Sequence, residues 1–249
     1  MTETLQMQTP ETGPETVRMP PLRPARKEAT IEVLVFLFLI VPSMLLSFFV
    51  TRQGGVSFVF VSVSTILRDL ALVSLILFFL WRNGEPVGVI GWRSRQLERN
   101  IFLGAVLYLP LIFVISLIEQ LLAAAGLPQP SVPVPSLFAI RGHWETALAV
   151  VLVAVVAISE ETIFRGYLTA RLQTATKSTA AAVLLSAVVF ALGHGYEGSL
   201  GVVTVGIMGL AFSLIYLWRQ SLVTPIVLHF LQDFTAIILL RYLHGAPSA

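Results

Sequence analysis

The residues best suited to chemistry begin with Ile158-Ser159-Glu160-Glu161-Thr162-Ile163-Phe164-Arg165-Gly166, which follows a run, Ala147 to Ala157, made only of Ala, Val and Leu. Carboxylates and a guanidinium are costly beside such a run unless they are paired, hydrated or turned toward a protein interior. Glu161 and Arg165 are four apart, so on a helix they share a face and can pair. Glu160 points about 100° away around the helix and has no local partner. Alone, the pair reads equally well as a membrane-boundary salt bridge. Two further patterns shift that balance. Phe190 and His194 are four apart, as are His229 and Asp233, and both histidines fall within long apolar segments. A single buried histidine is usually a satisfied packing residue, but two of them with an unpaired Glu and a nearby carboxylate fit that reading poorly. The remaining histidines, His143 and His244, lie near helix ends and read as interfacial residues.

A poorly solvated Glu is a good general base, and His can orient a water or stabilise charge developing on oxygen. Glu160, His194 and His229 are also the ligand types of a hydrolytic divalent metal such as zinc. The H-E-x-x-H signature is absent, so a bound metal does not follow from the spacing. There are no cysteines, which removes thiolate ligands and disulfides, and no Ser adjoins a suitable base in sequence.

Hydrocarbon must position these groups. The 249 residues are 56% hydrophobic and only 12% charged, against about 25% charged in soluble domains. Continuous rather than alternating apolar runs exclude a β-barrel. The pattern predicts an all-α polytopic membrane bundle of about seven transmembrane helices, or eight with a re-entrant segment. The segments are approximately 30–50, 57–81, 101–125, 145–170, 179–195, 199–218 and 221–241. Residues 1–28 hold five prolines and mixed charge and are expected to form a disordered cytoplasmic tail. Residues 29–245 form a single transmembrane domain. The stretch near 126–144, with Pro128, Pro130, Pro133 and Pro135, reads as an extended spacer. Gly201, Gly206 and Gly209 read as small residues that let helices approach closely. The second segment carries Arg68 and Asp69, whose role the sequence leaves open.

With the N-terminus inside, the cytoplasmic segments hold eleven cations (Arg18, Arg23, Arg26, Lys27, Arg82, Arg93, Arg95, Arg99, Arg171, Lys177, Arg219) and the external ones three (Arg52, Arg141, Arg241). This asymmetry predicts a cytoplasmic N-terminus and an external C-terminus. A reporter fused after Ala249 that is active only outside the cytoplasm is the expected result; cytoplasmic activity would overturn the threading.

Glu160-Glu161-x-x-Phe164-Arg165-Gly166, then Phe190-x-x-x-His194, then His229-x-x-x-Asp233 resemble the three ordered motifs of the CPBP family. These are the intramembrane proteases related to the type II CAAX prenyl endopeptidase, also called ABI or lysostaphin-resistance-like proteins. The resemblance covers about residues 145–241. It implies that Glu160 and His194 hold and activate an attacking water, that His229 and Asp233 stabilise the oxyanion, and that Glu161, Arg165 and Phe190 support the site. The last motif position is Asn or Asp in the family, and an ionised Asp cannot donate to an oxyanion. Asp233 must then be protonated, orient His229 or contact a cation. The implied activity is hydrolysis of a peptide bond in a membrane-associated protein or peptide, with the bilayer as partner and no nucleic acid. The expected location is a bacterial plasma membrane. The alternatives are a non-catalytic scaffold or bacteriocin-immunity protein on the same fold, or a small transporter with a Glu/His proton relay. The charged residues are expected to converge on a cavity opening toward the cytoplasm.

Overall fold

The structure, a computed structural model, describes residues 24–50, 57–93, 96–128 and 140–239. Most of the tail, and the spacer prolines other than Pro128, lie outside the described residues. Among the described residues there are seven helices and no strand. They are α1 (Arg26–Val50), α2 (Phe58–Arg82), α3 (Leu97–Ala124), α4 (Gly142–Thr176), α5 (Thr179–Leu192), α6 (Gly198–Arg219) and α7 (Val223–Leu239). Each coincides with one of the seven apolar segments to within a few residues. Helices α1 to α4 and α6 are long and apolar enough to cross a membrane, while α5 and α7 are shorter. At 1.5 Å per residue, the 14 residues of α5 rise about 21 Å, less than the roughly 30 Å of a hydrocarbon core.

Contacts between helix ends set the order of the bundle. Glu32 near the start of α1, Asn83 and Glu85 just beyond α2, and Arg171 near the end of α4 are hydrogen-bonded together. Arg219 at the end of α6 donates to Asn100 near the start of α3, and Thr224 at the start of α7 donates to the Asn100 carbonyl. At the opposite end, the Gly195 N–H beyond α5 donates to Ser47 near the end of α1. Phe58 of α2, Leu148 of α4 and Ile238 of α7 share an apolar cluster there. Successive helices therefore alternate in direction. Phe38, Leu109 and Phe113 stand exposed on the outer helices, forming an apolar surface of the kind lipid covers.

Helix α4 is the centre of the bundle. Of its most apolar stretch 56% is buried, against 11% for α3. Its middle, Glu161–Leu168, is π-helical rather than α-helical, and all eight residues are buried. In a π-helix the backbone bonds run one residue further along the chain, which re-aims the side chains that follow. Here the Phe164 carbonyl accepts from the hydroxyls of both Thr169 and Ser186, each at 2.7 Å. Gly166 is required at this crossing, because a Cβ there would stand 2.7 Å from the Ile90 carbonyl oxygen.

The sequence counts Arg171 among the cytoplasmic loop charges, but it lies inside α4 at 1% exposure. Its Nε reaches Glu32 at 2.6 Å, and both terminal nitrogens bond Glu85. Tyr167 and Asn83 complete the shell of Glu32 at 2.7 Å each. This buried network ties α1, the α2–α3 connection and α4 together.

Candidate active site

Helix α4 delivers Glu160, Glu161 and Arg165, with Glu160 as the last α-helical residue before the π segment. The Glu161–Arg165 pair forms as its spacing predicts, with Nη1 3.0 Å from Oε1 and both side chains buried. Arg165 is sandwiched between aromatic rings, its guanidinium 4.1 Å from the Phe190 ring centroid and 5.3 Å from that of Phe212. Gly209 on α6 permits this packing, since a Cβ there would stand 3.2 Å from Phe190 and 3.3 Å from Arg165.

Helix α7 delivers His229 and Asp233 from its α-helical part, Val223–Asp233. His229 is buried and faces three carboxylates. Its Nδ1 lies 2.8 Å from Glu161 Oε1, and its Nε2 lies 3.4 Å from Asp233 Oδ2 and 3.8 Å from Glu160 Oε2. A carboxylate can only accept, so the Nδ1 carries the hydrogen directed at Glu161. An imidazolium, with N–H groups on both nitrogens, complements all three acceptors. Glu161 therefore has two partners, Arg165 and His229, where the sequence pairs it with Arg165 alone. Glu161 and Asp233 together fix the ring.

His194 is placed differently from the expectation that it lies within a span. Helix α5 ends at Leu192, and His194 sits in the following turn, flanked by Gly193 and Gly195. The N–H groups of Gly193 and His194 bond carbonyls three residues back, at Phe190 and Ala191, a tightening common where a helix ends. The i,i+4 relation survives, with the Phe190 and His194 rings 4.8 Å apart. His194 Nδ1 is 3.1 Å from the Phe190 carbonyl. A carbonyl is an acceptor only, so Nδ1 carries the hydrogen and a neutral ring presents Nε2 as an acceptor. Among the charged groups acting on His194 are Glu197, Asp233 and His229. Because α5 runs away from the Arg171 end, His194 lies toward the other end of the bundle, and not toward the end expected to face the cytoplasm.

Phe190, 2% exposed, links these parts. Its ring contacts Phe164 at 5.1 Å, His194 at 4.8 Å and His229 at 6.2 Å, besides carrying Arg165. Glu160 Oε2 is buried without a hydrogen bond, as is Glu161 Oε2. The Glu160 side chain keeps 14% exposure and that of Asp233 23%. Among the described residues no three His, Cys, Asp or Glu side chains are grouped closely enough to hold a metal ion.

Arg68 and Asp69 have no place in the three motifs. Asp69 lies on the buried stripe of α2 with Ser62 and Ile76, and the charges of Glu160 and His229 act on it. Its period along α2 is the one signal that could have turned it inward.

Residues 142–235 match the model of the family described as Type II CAAX prenyl endopeptidase Rce1-like. This is the family to which the three motifs point, and the matched stretch contains every residue of those motifs. No curated protein and no solved structure matches the chain.

Proposed function

We propose, from the match of residues 142–235 to CAAX prenyl endopeptidases, that the protein is an intramembrane endopeptidase that cleaves a membrane-associated protein or peptide with a water activated by Glu160. The observation that carries this reading is the convergence on His229 of Glu160, Glu161 and Asp233, all within 3.8 Å. A packing histidine does not gather three carboxylates inside an apolar bundle, where each added charge is costly.

The steps follow from the groups. A water donates one hydrogen toward Glu160 and the other toward the free Nε2 of His194. Glu160 takes a proton as the water oxygen attacks the scissile carbonyl carbon. The carbonyl oxygen gains negative charge, which the positive charge of the His229 imidazolium stabilises. Glu160 then returns its proton to the amide nitrogen, the C–N bond breaks, and a carboxylic acid and an amine leave. Asp233 serves by orienting His229, one of the three roles open to an Asp at that position. Glu161, held by Arg165, fixes the same ring from the other side.

An apolar groove lined by Ala157, Ile158, Ile226, Val227, Phe230 and Leu231 runs between α4 and α7. It suits an apolar substrate segment arriving from the bilayer. The test is to reconstitute the protein in liposomes with a peptide library and read new termini by mass spectrometry. Cleavage by the wild type that is absent with Glu160→Ala is expected. A library left intact by the wild type would favour a non-catalytic scaffold.

A further inference from the structure

The site has a side that the motifs do not contain. Helices α2 and α4 run in the same direction, and two contacts fix their register. Phe58 packs in one cluster with Leu148 and Ala149, and Phe79 stacks on Tyr167 with ring centroids 6.3 Å apart. Asp69 lies eleven residues beyond Phe58, as Glu160 lies eleven beyond Ala149. Counting back ten residues from Phe79 and Tyr167 places Asp69 level with Ala157 instead, so Asp69 lies within about one turn of Glu160, on the face of α2 that is turned inward.

Its bonding is one-sided. Arg68 Nε and Nη2 both donate to Asp69 Oδ1, at 3.0 and 2.9 Å. Asp69 Oδ2 has no hydrogen-bond partner although the residue is only 1% exposed. On α4, Glu160 Oε2 and Glu161 Oε2 are likewise without a hydrogen bond, and of the two it is the charge of Glu160 that acts on Asp69 and Arg68. Neither Asp69 Oδ2 nor Glu160 Oε2 has a hydrogen bond, although His229 Nε2 stands 3.8 Å from Glu160 Oε2.

We propose that Asp69 is a positioning residue for the catalytic base: its Oδ2 accepts the hydrogen of Glu160 once Glu160 has taken a proton from water. Before the transfer the two oxygens are acceptors with nothing to share. Afterwards a carboxylic acid faces a carboxylate, and an O–H···O⁻ bond of this kind is among the strong ones. The arrangement favours the protonated Glu160 that the attack creates and keeps its carboxyl fixed until the proton returns to the leaving nitrogen. Arg68 offsets the charge of Asp69 and holds it by the oxygen not used. The inference rests on the endopeptidase reading and adds a residue from α2, outside residues 142–235.

The experiment uses the full chain in liposomes and a fluorogenic peptide made from a sequence the wild type cleaves. In Asp69→Asn, kcat is expected to fall on the order of 10–100-fold, the scale on which small misplacements act, with KM changed less than about twofold. The double variant Arg68→Gln/Asp69→Asn removes both charges of the pair and should fold while showing the same loss of kcat. Asp69→Glu, which restores a carboxylate, should recover part of it. Unchanged kcat in Asp69→Asn, or in the folded double variant, overturns the proposal. So does a loss of kcat that only follows a lowered thermal midpoint and is not relieved by Asp69→Glu. If the wild type cleaves no peptide, the endopeptidase reading itself fails and Asp69 loses its role with it. An active wild type with active Asp69 variants removes only the inference.

Discussion

Replacing Arg171 with Met is expected to lower the stability of the protein by about 3–5 kcal/mol, the usual cost of removing one partner from a buried ion pair. The cause is the environment left behind. Glu32 and Glu85 are each 6% exposed, and Arg171 is the cation bonded to both. Without it, two carboxylates from different elements face each other in a poorly solvated place, and Tyr167 and Asn83 can satisfy only part of Glu32. The measurement is thermal unfolding in detergent, read as the midpoint. Adding Glu85→Gln to Arg171→Met removes one orphaned charge and should return part of the loss. A midpoint in Arg171→Met equal to that of the wild type would show that the network does not hold α1, α2 and α4 together.

How far the sequence reaches depends on the distance over which the physics acts. The seven helices were legible because each is an uninterrupted apolar run, and hydrocarbon imposes length and composition directly. The Glu161–Arg165 pair was legible because i,i+4 spacing is local. The π segment was not, since a ring of backbone bonds one residue longer leaves no mark in the pattern of apolar residues. The end of α5 before His194 had a signal in Gly193 and Gly195, but an apolar helix tolerates glycine and the signal is weak. Contacts between distant residues left no trace. Glu32 meets Arg171 across 139 residues, and His229 meets Glu161 across 68. Asp69 comes near Glu160 only through the register of two helices, which is decided by packing at their ends. The grouping around His229 was therefore visible as motifs, while the second partner of Glu161 and the place of Asp69 were not.

The second large effect concerns Glu160, and its measurement bears most directly on the claim that this residue activates the water. Glu160→Gln keeps the shape of the side chain and removes its basicity. The neighbouring Glu161 cannot replace it, because its Oε1 already serves Arg165 and His229 and the residue is 0% exposed. Loss of a general base lowers turnover by a factor on the order of 10²–10⁴, and the apolar groove between α4 and α7 is lined by other side chains. Wild type and Glu160→Gln should therefore be compared in the same liposomes, on the same peptide, with kcat and KM determined separately. A fall in kcat of that size, with KM nearly constant and the thermal midpoint retained, is the predicted result. Cleavage by Glu160→Gln at close to the wild-type rate would contradict the account.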